Sequence, residues 1–88
     1  MEVFEKSEID QFHKFFMNRL ADFYEISYQK VSEALALTDY YKNLTTTYEI
    51  THTLGEFDIL ENMSVYLRKV LNLPNFENQF KERYRPNS

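Results

Sequence analysis

The sequence predicts an all-α fold, a compact bundle of three to four helices, and three observations predict it. The 88-residue chain holds one glycine and two prolines, so turn-forming positions are few and long elements are favoured. Apolar residues recur at three- and four-residue spacing along most of the chain, which is the period of a helix with one buried face. Only the segment 44 to 54 alternates with a period of two, and a strand there would have no clear second strand to pair with. The runner-up is an α+β fold with a small hairpin at about 44–60. A chain of this length makes one domain, expected over 7–85 between short tails at 1–6 and 86–88.

The first helix is expected to begin at Ser7-Glu8-Ile9-Asp10, with Ser7 as the N-cap and acids near the positive helix end. Ile9, Phe12, Phe16, Leu20 and Phe23 form its stripe, which drifts into Tyr24, Tyr28, Val31 and Leu35. No Gly or Pro interrupts the run before Leu37. One helix of about 30 residues would be roughly 45 Å long, more than so small a domain needs, which leaves room for a kink near Glu25–Ser27.

Thr38 or Asp39 can cap a second helix, expected from about Asp39 to Thr53. Tyr40, Tyr41, Leu44 and Tyr48 begin its spacing before the threonines appear. Five threonines lie between Asn43 and Asp58, and each costs a few tenths of a kcal/mol relative to alanine in a helix. This helix is therefore expected to be the weakest, held by Tyr41, Leu44 and Tyr48 and ended by Gly55 as a C-terminal cap. As a hairpin, the same stretch would bend at Leu54-Gly55 and return along Glu56–Leu60.

Phe57, Leu60, Ser64, Leu67 and Leu71 mark a third helix, with Asp58 and Glu61 near its start and Arg68 and Lys69 near its end. Pro74 breaks it. Phe76, Phe80 and Tyr84, four residues apart, predict a short last helix before Pro86.

The chemistry-bearing residues are sparse. There is no cysteine, hence no disulfide framework and no thiolate metal site. His13 and His52 fall on different elements and neither belongs to a metal-binding pattern. Ser7, Ser27, Ser32 and Ser64 lack a nucleophile-elbow sequence. The acid pairs Glu8/Asp10 and Glu56/Asp58 sit where helix starts place acids for capping. Ile9-Asp10 followed by a long amphipathic helix superficially resembles the first helix of small helical chorismate mutases. That resemblance implies an arginine near position 23, where this chain has Phe23, so it is not carried further. The expectation is a non-catalytic protein without cofactor or metal.

The net charge of −4 is unevenly spread. Residues 1–62 hold 12 acids and 5 bases, whereas residues 63–88 hold 2 acids and 5 bases. An acidic body disfavours nucleic-acid binding. A helix-turn-helix reader would need basic residues at the start of its second helix, and Glu56-Phe57-Asp58 stands there instead. The acidic, non-apolar N-terminus and the lack of a long apolar run predict a cytoplasmic protein without a membrane span.

Eight Phe and seven Tyr make the chain 17% aromatic. A thin core cannot easily hide fifteen large rings, so an exposed aromatic surface is expected. Adjacent rings on a helix point about 100° apart. If Phe16, Phe23 and Tyr41 face the core, then Phe15, Tyr24 and Tyr40 point elsewhere. Phe15, Tyr24, Tyr40, Tyr41, Phe76, Phe80 and Tyr84 are the candidate partner-binding residues. They predict an acidic protein–protein interaction domain: a regulator or inhibitor of a larger protein, or an accessory protein that associates with itself as a homodimer. The alternatives are a nucleic-acid mimic that blocks a DNA-binding protein and a small helix-turn-helix regulator.

Overall fold

The computed structural model describes residues 5–80, excluding the side chains of Gln79 and Phe80. It is all-α, and no strand occurs among the described residues. Helix α1 spans Lys6–Tyr24, α2 Tyr28–Ala36, α3 Leu44–Thr51, α4 Glu56–Arg68 and α5 Phe76–Phe80, with a 3₁₀ turn at Tyr40–Asn43 leading into α3.

The long first run is two helices. Ile9, His13, Met17, Leu20 and Ala21 line the buried stripe of α1, with Phe23 beside them. Glu5, not Ser7, occupies the N-cap, and its side chain makes no capping bond. At the other end Glu25 turns left-handed, with φ 57° and ψ 44°. The Ile26 N–H then donates to the Ala21 carbonyl at 3.0 Å and the Glu25 N–H to the Asp22 carbonyl at 3.2 Å, which closes the helix end. Ser27 follows as a true N-cap, its Oγ accepting from the Lys30 N–H at 3.1 Å. The break thus falls within the expected Glu25–Ser27 segment, and α2 turns back to pack Val31, Ala34 and Leu35 inward.

Thr38 shapes the next corner. Its hydroxyl donates to the Leu35 carbonyl at 2.7 Å and accepts from the Tyr40 N–H at 3.1 Å. The threonine-rich stretch is helical, as expected, but its first turn is 3₁₀ and its α-helical part stops at Thr51. Thr47, Tyr48 and Thr51 face inward, and the Thr51 hydroxyl donates to the Thr47 carbonyl at 2.6 Å. Gly55 does not end this helix. It is the N-cap of α4, in an extended conformation with φ −68° that any residue can adopt. The helix before it ends through ordinary turn bonds, such as the Leu54 N–H to the Thr51 carbonyl at 2.9 Å.

The core lies where α1, α2, α4 and α5 meet. Leu20, Leu35, Tyr40, Leu60, Leu67 and Phe76 are fully buried there, with Met17 and Met63 beside them. Each such large apolar side chain stabilises the fold by about 1.5–3 kcal/mol when withdrawn from water. A bidentate ion pair joins α1 to the first turn of α4: Arg19 Nε donates to Glu56 Oε1 at 2.9 Å and Nη2 to Oε2 at 3.3 Å.

Candidate interaction face

The core accommodates more rings than expected. Tyr40 and Phe76 are fully buried, which corrects their assignment to a surface. Phe76 packs edge-on against Phe23 at 5.4 Å and at a tilt against Phe57 at the same separation. Tyr40 meets His13 at 5.2 Å, Tyr66 at 5.3 Å and Tyr41 at 5.7 Å, each near-perpendicular. Edge-to-face contacts let many rings share one thin layer, because the positive edge of one lies on the negative face of the next. Tyr40 and Tyr41 exchange their expected places: the first is inside, and the second is exposed with its hydroxyl 3.1 Å from the Ser32 hydroxyl. Neighbours in a 3₁₀ turn lie about 120° apart, so one of the two rings faces the core and the other does not, and here the inner one is Tyr40.

Tyr24 is half-buried and donates to the Pro74 carbonyl at 2.8 Å, fastening the loop before α5. Phe15 stays exposed, with its ring against Phe16 at 4.9 Å. The Phe80 side chain and the whole of Tyr84 lie outside the described residues. The structure therefore places Tyr24 beside Phe76 and Tyr40 beside Tyr41, and it does not gather the five described candidates into one surface.

Exposed apolar residues also occur on α3, on α4 and in the turn between them. Ile50 is 65% exposed, and Leu54 and Val65 are also exposed. Ile50 borders a shallow groove of about 160 Å³ with Asn43, Thr46, Thr47, Thr51, Asn62 and Tyr66. No lining residue is charged, although charged residues make up 27% of the chain. Val65 lies one helical turn from Asn62, and the Lys69 ammonium covers the Tyr66 ring at 5.1 Å from its centroid. Fewer charges and a central aliphatic group distinguish interface cores from ordinary surface. Sequence reasoning passed over Ile50 because it weighed rings alone. The available signal was an isoleucine opposite the buried Thr47/Tyr48/Thr51 stripe.

A larger cleft of about 420 Å³ opens between the start of α1 and the 3₁₀ turn, lined by Lys6, Ile9, Asp10, Tyr41, Lys42, Leu44, Thr45 and Thr46. Its polar side chains are all exposed or half-buried, so none is withdrawn from water to await a ligand. Lys42 also pairs with Asp39 at 3.9 Å.

Beneath that cleft His13 is buried. Its Nε2 lies 2.9 Å from the Leu44 carbonyl, and its Nδ1 is hydrogen-bonded to the Tyr40 hydroxyl. A carbonyl can only accept, so Nε2 carries the proton and Nδ1 of the neutral ring accepts from Tyr40. Burial lowers the His13 pKa from its ordinary 6.5, against the opposing pull of the Leu44 carbonyl and the Asp10 carboxylate. Burial likewise pushes the Tyr40 hydroxyl far up, so it remains a donor. His52 is half-buried, its ring stacked on Tyr48 at 4.6 Å and its Nδ1 2.8 Å from the Tyr48 carbonyl. Among the described residues, no three His, Asp or Glu side chains gather in a way that could hold a metal ion, and no helix is long and apolar enough to cross a membrane. No protein-family model matches the chain, and neither does any curated protein or solved structure.

Proposed function

We propose that this protein is a non-catalytic protein–protein interaction domain that regulates a larger protein by docking through the groove between α3 and α4. The observation that carries the reading is Ile50, an isoleucine 65% exposed at the rim of an uncharged groove. At about 160 Å³ the groove is smaller than the 300–1,000 Å³ typical of small-molecule sites, and it suits one or two side chains of a partner. Thr46, Asn62 and Tyr66 line the same groove and supply hydrogen-bonding groups beside Ile50. The acidic character of the chain helps to select the partner and steers its approach, while the neutral groove supplies the contact.

The test is site-specific photocrosslinking in the native host, with the reactive amino acid replacing Ile50 or, as a control, the exposed Gln29 of α2. The expected result is a discrete adduct with a larger protein from position 50 and none from position 29. An adduct of twice the chain mass would instead identify a second copy as the occupant. No adduct, or the same adducts from both positions, contradicts the reading. Salt separates this reading from nucleic-acid mimicry. Groove-centred crosslinking should change little between low and high ionic strength, whereas attraction by an acidic surface would be screened away.

A further inference from the structure

The threonine-rich helix is tied to α1 by polar and aromatic groups. Three ties are visible. His13 of α1 holds the Leu44 carbonyl at the first residue of α3, the Tyr48 hydroxyl donates to the Glu8 carboxylate, and the Phe12 ring meets Tyr48 edge-on at 5.0 Å. The buried residues of α3, Thr47, Tyr48 and Thr51, include no large aliphatic, and Leu44 at its start is only partly buried against the core.

We infer that His13 is an acid-sensitive latch, and that its protonation releases α3 from α1 while the rest of the bundle stays folded. The geometry accommodates only a neutral ring. With Nε2–H committed to the Leu44 carbonyl, a second proton on Nδ1 would point at the Tyr40 oxygen, which now donates to that same nitrogen. Tyr40 would have to turn its own proton away, in a fully buried site where its hydroxyl is bonded to His13. The cation would also be buried between the Phe12 and Tyr40 rings, away from water. Opening α3 admits solvent, which can hydrate the cation in place of the buried surroundings and outweighs the loss of the Leu44 carbonyl bond that by itself favours the cation.

The surrounding groups do not cancel the effect. On α1, Asp10 favours the cation but is half-exposed, and it remains beside His13 in the open form as well. From the 3₁₀ turn come Tyr40 and, behind it, Tyr41, with Lys42 exposed. Tyr48 of α3 reaches the site through Phe12, and Tyr66 of α4 reaches it through Tyr40. None of these places an unpaired carboxylate on the ring. The sign follows from linkage. The closed form binds the proton less tightly than the open form, so closure is favoured above pH 6.5 and weakens as pH falls below it. With one proton involved, the opening equilibrium rises by up to about tenfold per pH unit in that window. The latch does not depend on any partner docking at the α3–α4 groove.

Amide hydrogen exchange on the full chain between pH 7.5 and 5.5, corrected for intrinsic rates, tests the latch. Protection of α3 amides is expected to fall with pH while that of Met63 and Leu67 in α4 holds. The fall should vanish in His13→Gln, whose amide keeps one donor and one acceptor but does not titrate, and should persist in His52→Gln. An equal response of α3 and α4, or a fall that survives His13→Gln, would overturn the inference. If His13→Gln does not fold, the wild-type His13 imidazole resonances decide. They must titrate below 6.5 with α3 amides shifting in step, and titration at or above that value overturns the latch.

Discussion

From Met17 to Phe23, α1 packs against α2, α4 and α5 through apolar side chains, with the Arg19–Glu56 ion pair at the margin. From Glu8 to His13, the same helix packs against the 3₁₀ turn and α3 through rings, hydroxyls and an imidazole. The first region gains from burial, which is nondirectional and indifferent to protonation. The second gains from a few directional bonds, each worth little net but costly to leave half-made. One helix therefore has a robust end and a conditional end. The conditional end borders α3, which supplies Ile50 to the candidate interaction face.

The comparison can be broken most strongly in the apolar half. Leu60→Ala should cost about 2–5 kcal/mol, because the fully buried site cannot collapse around the missing atoms. Urea unfolding at pH 7.5 and 5.5 should give nearly the same loss at both. In the polar half, Tyr40→Phe keeps the ring but leaves His13 Nδ1 without its donor. A loss of about 1–3 kcal/mol at neutral pH is expected by the same method.

The two halves should also respond to acid with opposite signs. His13 is held neutral, so its contribution is complete above 6.5 and weakens below it, by at most about 1.4 kcal/mol per pH unit. Glu61 on α4 is pushed above its ordinary 4.5 by burial and then by a hydrogen bond with Glu77 of α5. Its contribution is present below 4.5 and lost as pH rises through the elevated value. Nuclear magnetic resonance titration of Leu44 and Glu77 amides should show α3 loosening before the α4–α5 contact changes.

Smaller effects sharpen the comparison. Glu25→Gly should stabilise the protein by about 0.5–1 kcal/mol, since glycine adopts the left-handed helix end without side-chain strain. Thr45→Ala and Thr46→Ala, both exposed, should add a few tenths of a kcal/mol each and raise helicity measured by circular dichroism. Thr47→Ala should not gain in the same way, because its site is buried.

Helical periodicity made the fold class legible, and the missing second strand correctly set aside the hairpin. The break at Glu25–Ser27 was legible only from length, because Glu25 carries no glycine signal for its left-handed turn. Gly55 misled because a glycine after a helix can equally be a cap before the next one. Ring burial was misjudged because adjacent-residue geometry says that one of Tyr40 and Tyr41 faces inward but not which, and because edge-to-face packing lets the core hold more rings than its thinness suggests. The pairing of His13 with Tyr40 and Leu44 spans 27 and 31 residues, and no local pattern records it.

The most direct test of the two-ended account is native-state hydrogen exchange in low urea at pH 7.5. The account predicts that the Tyr48 and Thr51 amides exchange through a local opening, with lower free energy and weaker urea dependence than Met63 and Leu67. If all four exchange with the free energy and urea dependence of global unfolding, the two ends are one cooperative unit and the account is wrong.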